Sequence, residues 1–280
     1  MVRKSLHDRT SLDNNIVLNA HRVCLGVIML MGGLEVGIGH PTRIVAELGT
    51  LHHHQGIDGL MLATRDAFNA GADFVKVQLI DPKTAWWASD YQLRRYHSLY
   101  KSFKRSYWPI YLARANKELG PTFASVFDQD TLSEVYREMP AVKIAYIARI
   151  KDALVEACVD TGKPVIISLG DDKLSQRVLQ MSALSKSTVK RLFCQSVYPL
   201  PDFRARLPLF GSIYHGLSAH TDNTALLCAS FILGAELLEV HVQSTDASGA
   251  DTKYALDIDR LKRLIEIRDM LSSFSLYTCD

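Results

Sequence analysis

Gly216-Leu217-Ser218-Ala219-His220-Thr221 and Leu237-Leu238-Glu239-Val240-His241 decide how this chain folds. Each ends an apolar run and gives way to polar residues, as a buried parallel strand does where it presents its last side chains to a site. The intervening residues 222–234 are helix-length and carry Leu226, Leu227, Ala229, Ile232 and Leu233. The unit therefore reads strand, helix, strand, with a histidine closing each strand. Two imidazoles placed in this way suit a divalent metal that keeps open coordination positions.

The same beat extends towards both termini. Strands are expected at 43–49, 74–80, 122–126, 142–145, 165–169, 191–194, 213–217 and 237–241, with helices at 59–70, 129–138, 150–161, 173–185, 222–234 and 258–271. Gly162-Lys163-Pro164 ends one helix, since proline cannot continue it and glycine favours the cap. Between the second and third strands lies a polar and aromatic excursion through Trp86, Trp87 and Trp108, read as a lid or an oligomer contact. Eight strands alternating with helices over this length predict an α/β fold of one domain, a (β/α)8 TIM barrel. A doubly wound open sheet is the rival, but the chain carries no glycine fingerprint of the dinucleotide or P-loop kind.

Composition narrows the function. With 280 residues, 48% hydrophobic and 22% charged, the chain can bury a substantial core, and a net charge of +2 gives no nucleic-acid footprint. Cys24, Cys158, Cys194, Cys228 and Cys279 are odd in number, widely spaced and mostly within apolar runs. That fits buried thiols in a reducing cytoplasm better than a disulfide framework. The longest apolar stretch, residues 23–31, is too short to span a bilayer and lacks a clean cleavage site, so neither a membrane nor export is expected.

In a barrel the active site lies at the carboxyl ends of the strands. Polar residues expected there are Glu47, Lys76, Gln78, Lys143, Ser168, Ser196, Tyr198, Ser218, His220, Glu239 and His241. Two lysines and two serines beside a histidine pair would hold a small, doubly charged anion next to a metal, which points to a phosphorylated small substrate. Lysines inside apolar strands are costly to bury alone, so Lys76 and Lys143 either bind an anion or form ion pairs. Glu47 could be such a partner, and Ser168 could instead cap a helix. The His52-His53-His54 run cannot turn three rings to one ion, leaving only His52 as a further ligand candidate.

At these residues a family resemblance becomes definite. Arg43-Ile44-Val45-Ala46-Glu47-Leu48-Gly49 with His52 resembles the opening "IAEIG-x-NH" signature of the sialic acid synthase family. In order follow Gly71-Ala72-Asp73 with Val75-Lys76-Val77-Gln78 ("GAD…VKFQ"), Phe127-Asp128, Lys143-Ile144-Ala145 ("KIAS") and the run from Gly162 to Ser168 ("GKPVIISTG"). Cys194 to Pro199 ("CTNxYP"), Gly216 to Thr221 ("GLSDHT") and Glu239 to His241 ("EKHF") complete the set, which covers roughly residues 34–271. The resemblance implies condensation of phosphoenolpyruvate with N-acetylmannosamine or a related aldose to a sialic-acid-type 2-keto-3-deoxy sugar acid and phosphate. It implies His220 and His241 as ligands of a divalent metal, normally manganese, with magnesium or cobalt as alternatives. It also implies Lys76, Lys143, Ser168 and Ser218 as the phosphoenolpyruvate site and Glu47 beside the reacting carbons. Gln78, Tyr198 and Asp251 are implied as acceptor contacts. In that chemistry C3 of phosphoenolpyruvate attacks the metal-polarised aldehyde, water adds at C2, and phosphate leaves.

The departures cluster on the acceptor side. Tyr146 replaces the serine of "KIAS", Ala148 the glutamate two residues on, Ser196 the asparagine of "CTNxYP", Ala219 the aspartate of "GLSDHT" and Val240 the basic residue of "EKHF". A carboxylate lost at Ala148 removes a hydrogen bond worth about 1.5–3 kcal/mol, so an acceptor other than N-acetylmannosamine is expected. The family's C-terminal antifreeze-like domain is not expected after residue 271, so a homodimer or a separate chain bearing that domain is the expected partner. Residues 1–32 read as an N-terminal extension and 33–280 as the barrel domain. Two other functions fit: a catalytically degenerate homologue that binds a ligand or partner, and a Schiff-base aldolase using Lys76 or Lys143.

Overall fold

The computed structural model describes residues 28–181, 184 and 189–274. Its centre is a closed barrel of eight parallel strands in the order β10-β3-β4-β5-β6-β7-β8-β9. The strands are β3 (Arg43–Gly49), β4 (Phe74–Gln78), β5 (Thr122–Val126), β6 (Val142–Ile144), β7 (Val165–Leu169), β8 (Val189–Cys194), β9 (Gly216–Ala219) and β10 (Leu237–His241). All eight expected strands are present, the seventh starting three residues later than its apolar run suggested. Runs such as Val165-Ile166-Ile167-Ser168-Leu169 are buried at every position, because one face fills the barrel and the other meets the helical layer.

Helices α1 (Gly56–Asn69), α4 (Gln129–Val135), α5 (Asp152–Asp160), α6 (Lys173–Leu179), α7 (Thr224–Ile232) and α8 (Ile258–Ser272) correspond to the six expected from the sequence. The expected end of the fourth of these, at 185, lies partly outside the described residues, and α6 itself stops at Leu179. The aromatic excursion is largely helical. It holds α2 (Asp90–Ser102) and α3 (Trp108–Glu118). Ser89 and Gln92 close a reciprocal capping box on α2, and a proline sits in the first turn of α3. Trp108 is 1% exposed and donates from its indole to the Phe103 carbonyl at 3.3 Å, so it is core rather than lid.

A two-stranded hairpin, β1 (Met29–Met31) and β2 (Leu34–Val36), packs near the amino ends of β5 and β6. Its turn is Gly32-Gly33, both at positive φ. The expected boundary between extension and barrel at residue 32 therefore falls inside this turn, and Met31, fully buried, belongs to the core. Among the described residues no helix is long and apolar enough to cross a membrane. Cys158 and Cys194 are buried free thiols and Cys228 is half-buried; Cys24 and Cys279 lie outside the described residues.

Candidate active site

Strand register brings the polar residues together at the carboxyl ends. Glu47 pairs with Lys76 on one side and with His241 on the other. Ser125 pairs with Lys143, and Ser218 with Glu239. Glu47, Lys76, Ser125, Lys143, Ser168 and Ser218 are all buried. A single carboxylate joins them. Glu239 accepts from Ser218 Oγ at 2.8 Å, lies 3.5 Å from Lys143 Nζ and 3.7 Å from Lys76 Nζ. Lys143 also donates to Ser168 Oγ at 2.7 Å, and Lys76 to Ser125 Oγ at 2.9 Å, while Glu47 touches Lys76 directly.

Ser168 is thus a partner of Lys143 and not a helix cap; Asp172 caps the helix that follows. Burial would push the Glu239 carboxyl up, but the Lys143 and Lys76 ammoniums and the Ser218 hydroxyl outweigh it and hold the group below the usual carboxylate range. Burial pushes the Lys76 ammonium down to about 7 against the pull of Glu239. Contact with Glu47 adds a second carboxylate favouring the charged form. Two carboxylates and two ammoniums form a neutral set in which every charge depends on the others. Such a buried set adds little net stability, so its presence needs a reason beyond holding the fold.

His220 and His241 stand beside this set with ring centres 5.5 Å apart. Burial pushes His220 down to about 3, with His241 adding to the effect, and burial also lowers His241 against the pull of Asp251. Both rings are therefore neutral at physiological pH, the form in which imidazole binds metal. His220 Nδ1 lies 3.0 Å from the Gln195 carbonyl, which fixes the proton on Nδ1 and leaves Nε2 free. His241 Nδ1 is buried and has no hydrogen-bond partner. These features fit a divalent cation. Among the described residues no cluster of three or more His, Cys, Asp or Glu is arranged to hold one unaided, so a cation here would take further ligands from water or substrate. Burial pushes the neighbouring Cys194 thiol up to about 12, which keeps it protonated and a poor ligand.

Of the expected acceptor contacts, Tyr198 is 52% exposed with its ring 4.0 Å from that of His220. Gln78 is half-buried at the end of β4, paired in register with Ser125. Asp251 is drawn to the histidines, its Oδ2 3.6 Å from His241 Nδ1. His52 is no ligand candidate: Ser244 N donates to its Nε2 at 3.2 Å, and Gln55 Oε1 is 3.3 Å from its Nδ1. Glu239 stood among the strand-end residues in the sequence without a role, and Ser125 was not singled out. Its inward position in β5, opposite Lys143, was the available signal.

The departures also have a structure. Tyr146 follows β6, donates its hydroxyl to Asp172 Oδ2 at 2.6 Å and lies under the Arg149 guanidinium, 3.6 Å from the ring centre. Arg149, 5% exposed, also donates to Asp172 Oδ1 and Ser175 Oγ. The Asp172 and Arg149 contacts hold the Tyr146 ring in one place just after the carboxyl end of β6. Ala148, Ala219 and Val240 are buried, and Ser196 is exposed.

Fold and site together define a (β/α)8 barrel with a buried cluster of paired charges and two neutral imidazoles at its mouth. The chain belongs to the NeuB family, whose sequence profile matches residues 63–274. It is 26% identical over 253 residues to the pseudaminic acid synthase of Helicobacter pylori, covering 81% of this chain and 73% of that one. To the N-acetylneuraminate-9-phosphate synthase of Mus musculus it is 27% identical over 263 residues, covering 84% and 72%. The N-acetylneuraminic acid synthetase of Leptospira borgpetersenii serovar Hardjo-bovis, solved in complex with citrate, shares the fold with a TM-score of 0.77 at 21% identity, over 90% of this chain and 92% of that one.

Proposed function

We propose that the chain condenses phosphoenolpyruvate with an aldose to give a sialic-acid-type 2-keto-3-deoxy sugar acid and phosphate, and that the aldose is not N-acetylmannosamine itself. The observation that carries this is the buried pair Lys76 and Lys143, ringed by Ser125, Ser168 and Ser218, beside the facing imidazoles of His220 and His241. Two ammoniums and three hydroxyls offer the donors that a phosphate and a carboxylate on one small molecule require. Glu47 stands between Lys76 and His241, where it can take a proton from the water that adds at C2. A divalent cation held by His220 and His241, manganese by preference, would supply Lewis-acid polarisation of the aldehyde oxygen and a template for it. Tyr146, fixed by Asp172 and Arg149, supports an altered acceptor pocket.

Phosphate release from phosphoenolpyruvate, assayed with manganese and a panel of aldoses, tests this. Release should need both metal and aldose, stop with a chelator and return with manganese. If phosphoenolpyruvate binds and no aldose supports release, the chain is a non-catalytic binding protein. The depressed Lys76 ammonium favours one further reading, an imine-forming aldolase. Borohydride trapping with pyruvate would then leave a covalent adduct in the presence of chelator.

A further inference from the structure

The unpartnered nitrogen of His241 is the starting point. A buried polar atom left without a partner is costly, and Nδ1 of His241 is one. It faces the carboxylate of Asp251, whose Oδ2 lies 3.6 Å away, just beyond hydrogen-bond length. An approach of roughly 0.7 Å would make the bond. The other oxygen is already engaged: Tyr254 donates its hydroxyl to Asp251 Oδ1 at 2.6 Å, and the Tyr254 ring meets that of His241 edge-on at 4.9 Å.

The backbone around Asp251 is held as well. Tyr254 N and Ala255 N donate to the Asp251 carbonyl at 3.1 and 3.0 Å, and Arg95 Nη2 donates to the Ser248 carbonyl at 3.1 Å. Gly49 keeps the space between the two groups clear. At φ +55, a Cβ there would stand 3.2 Å from Asp251 Oδ2 and 3.9 Å from His241 Nδ1.

We propose that Asp251 is the positioning residue of the metal site: its carboxylate accepts the Nδ1 proton of His241, fixes that ring and turns Nε2 towards the cation, with Tyr254 holding the carboxylate in place. This rests on the metal-dependent function proposed above and departs from the acceptor contact that the family resemblance implies for this residue. The arrangement parallels His220, whose Nδ1 faces the Gln195 carbonyl, but with a charged acceptor that makes the ring a stronger ligand.

Calorimetric titration of the metal-free protein with manganese tests it without reference to turnover. Asp251→Ala and the isosteric Asp251→Asn should each weaken manganese binding about 10–100-fold. Tyr254→Phe should weaken it severalfold in the otherwise native chain and not at all in the Asp251→Ala background, because it acts through the carboxylate. A purely structural role would lower thermal stability without that coupling in metal affinity, and would overturn the proposal. So would manganese affinity within twofold of the native value in Asp251→Asn together with a raised acceptor KM, which would make Asp251 a sugar contact. If the native chain binds no manganese, the functional reading fails along with this one; unchanged affinity in the variants overturns this one alone.

Discussion

At the floor of the barrel mouth Lys76, Lys143, Ser168, Ser218 and Glu239 are each at most 5% exposed, whereas at the rim Tyr198 is 52% and Trp86 51% exposed. The floor is a closed network in which Glu239 touches two ammoniums and a hydroxyl. The rim is built from two local arrangements: Tyr146 with Asp172, and an aromatic group in which Trp87 stacks on Phe127 at 4.8 Å and meets Trp86 edge-on at 5.8 Å, with Lys151 5.4 Å over Trp86. Replacing one floor residue strands the charges that depended on it. Replacing one rim residue disturbs its own group and leaves the other group in place. The lysines and serines of the floor match the family motifs, whereas Tyr146 and Ser196 do not; the departures Ala148, Ala219 and Val240 are small or apolar and buried, and carry no polar contact of either region.

The division breaks most visibly, if it is wrong, at Lys143. Lys143→Met leaves Glu239 and Ser168 without their shared cation, and removing one partner of a buried pair costs about 3–5 kcal/mol. Urea unfolding should show that loss, and phosphate release from phosphoenolpyruvate should fall to background. A loss below about 1 kcal/mol, the size of a surface pair, would mean that the floor is not interdependent.

A smaller effect is expected at Tyr146. Tyr146→Ser removes the ring and its hydrogen bond to Asp172, at a stability cost of about 1–2 kcal/mol. Its main consequence should be in acceptor choice: the ratio of kcat/KM for N-acetylmannosamine to that for the native acceptor should rise at least about tenfold, or ~1.4 kcal/mol. The KM for phosphoenolpyruvate should stay within about twofold, since an interaction specific to the acceptor leaves the other substrate's binding alone. An equal rise in the phosphoenolpyruvate KM would move Tyr146 from the rim to the floor.

The same contrast explains what could be read from the sequence. Barrel strands buried on both faces leave continuous apolar runs, so Val165 to Leu169 or Leu237 to His241 announce themselves, and a polar residue that breaks such a run, like Lys76 or Lys143, is visible as an exception. Helix α2 was hidden because it buries only Leu99 among its residues and its polar face dominates the pattern. Ser89 and Gln92 were the legible sign. The hub role of Glu239 was not legible, because it depends on β9 and β10 placing Ser218 and Glu239 opposite each other while Lys76 and Lys143 arrive from strands across the barrel. Nor was the Asp251 contact with His241: the two are joined by a turn whose path no periodicity records.

Asp172 offers the finest test of the rim, because its effect should vanish with pH. It accepts from Tyr146 Oη, from Ser175 N and Oγ and from Arg149 Nη2, and it caps α6. Burial pushes its carboxyl up, but those hydrogen bonds prevail and hold it below the usual carboxylate range. A carboxyl depressed on folding contributes stability that is fully present above the unfolded value, about 3.9, and is lost as pH falls towards the lower folded value. Asparagine keeps the capping oxygen but not the charge. The gap in unfolding free energy between the native chain and Asp172→Asn should therefore be about 1–2 kcal/mol at pH 7, modest because the side chain is 34% exposed, and should narrow steadily below about pH 4. Tyr146→Phe, which removes one donor, should reduce the gap at pH 7 and flatten its pH dependence. A gap that stays constant down to pH 3 would show that the charge of Asp172 does not hold this part of the rim, and that the stacking of Arg149 on Tyr146 does so alone.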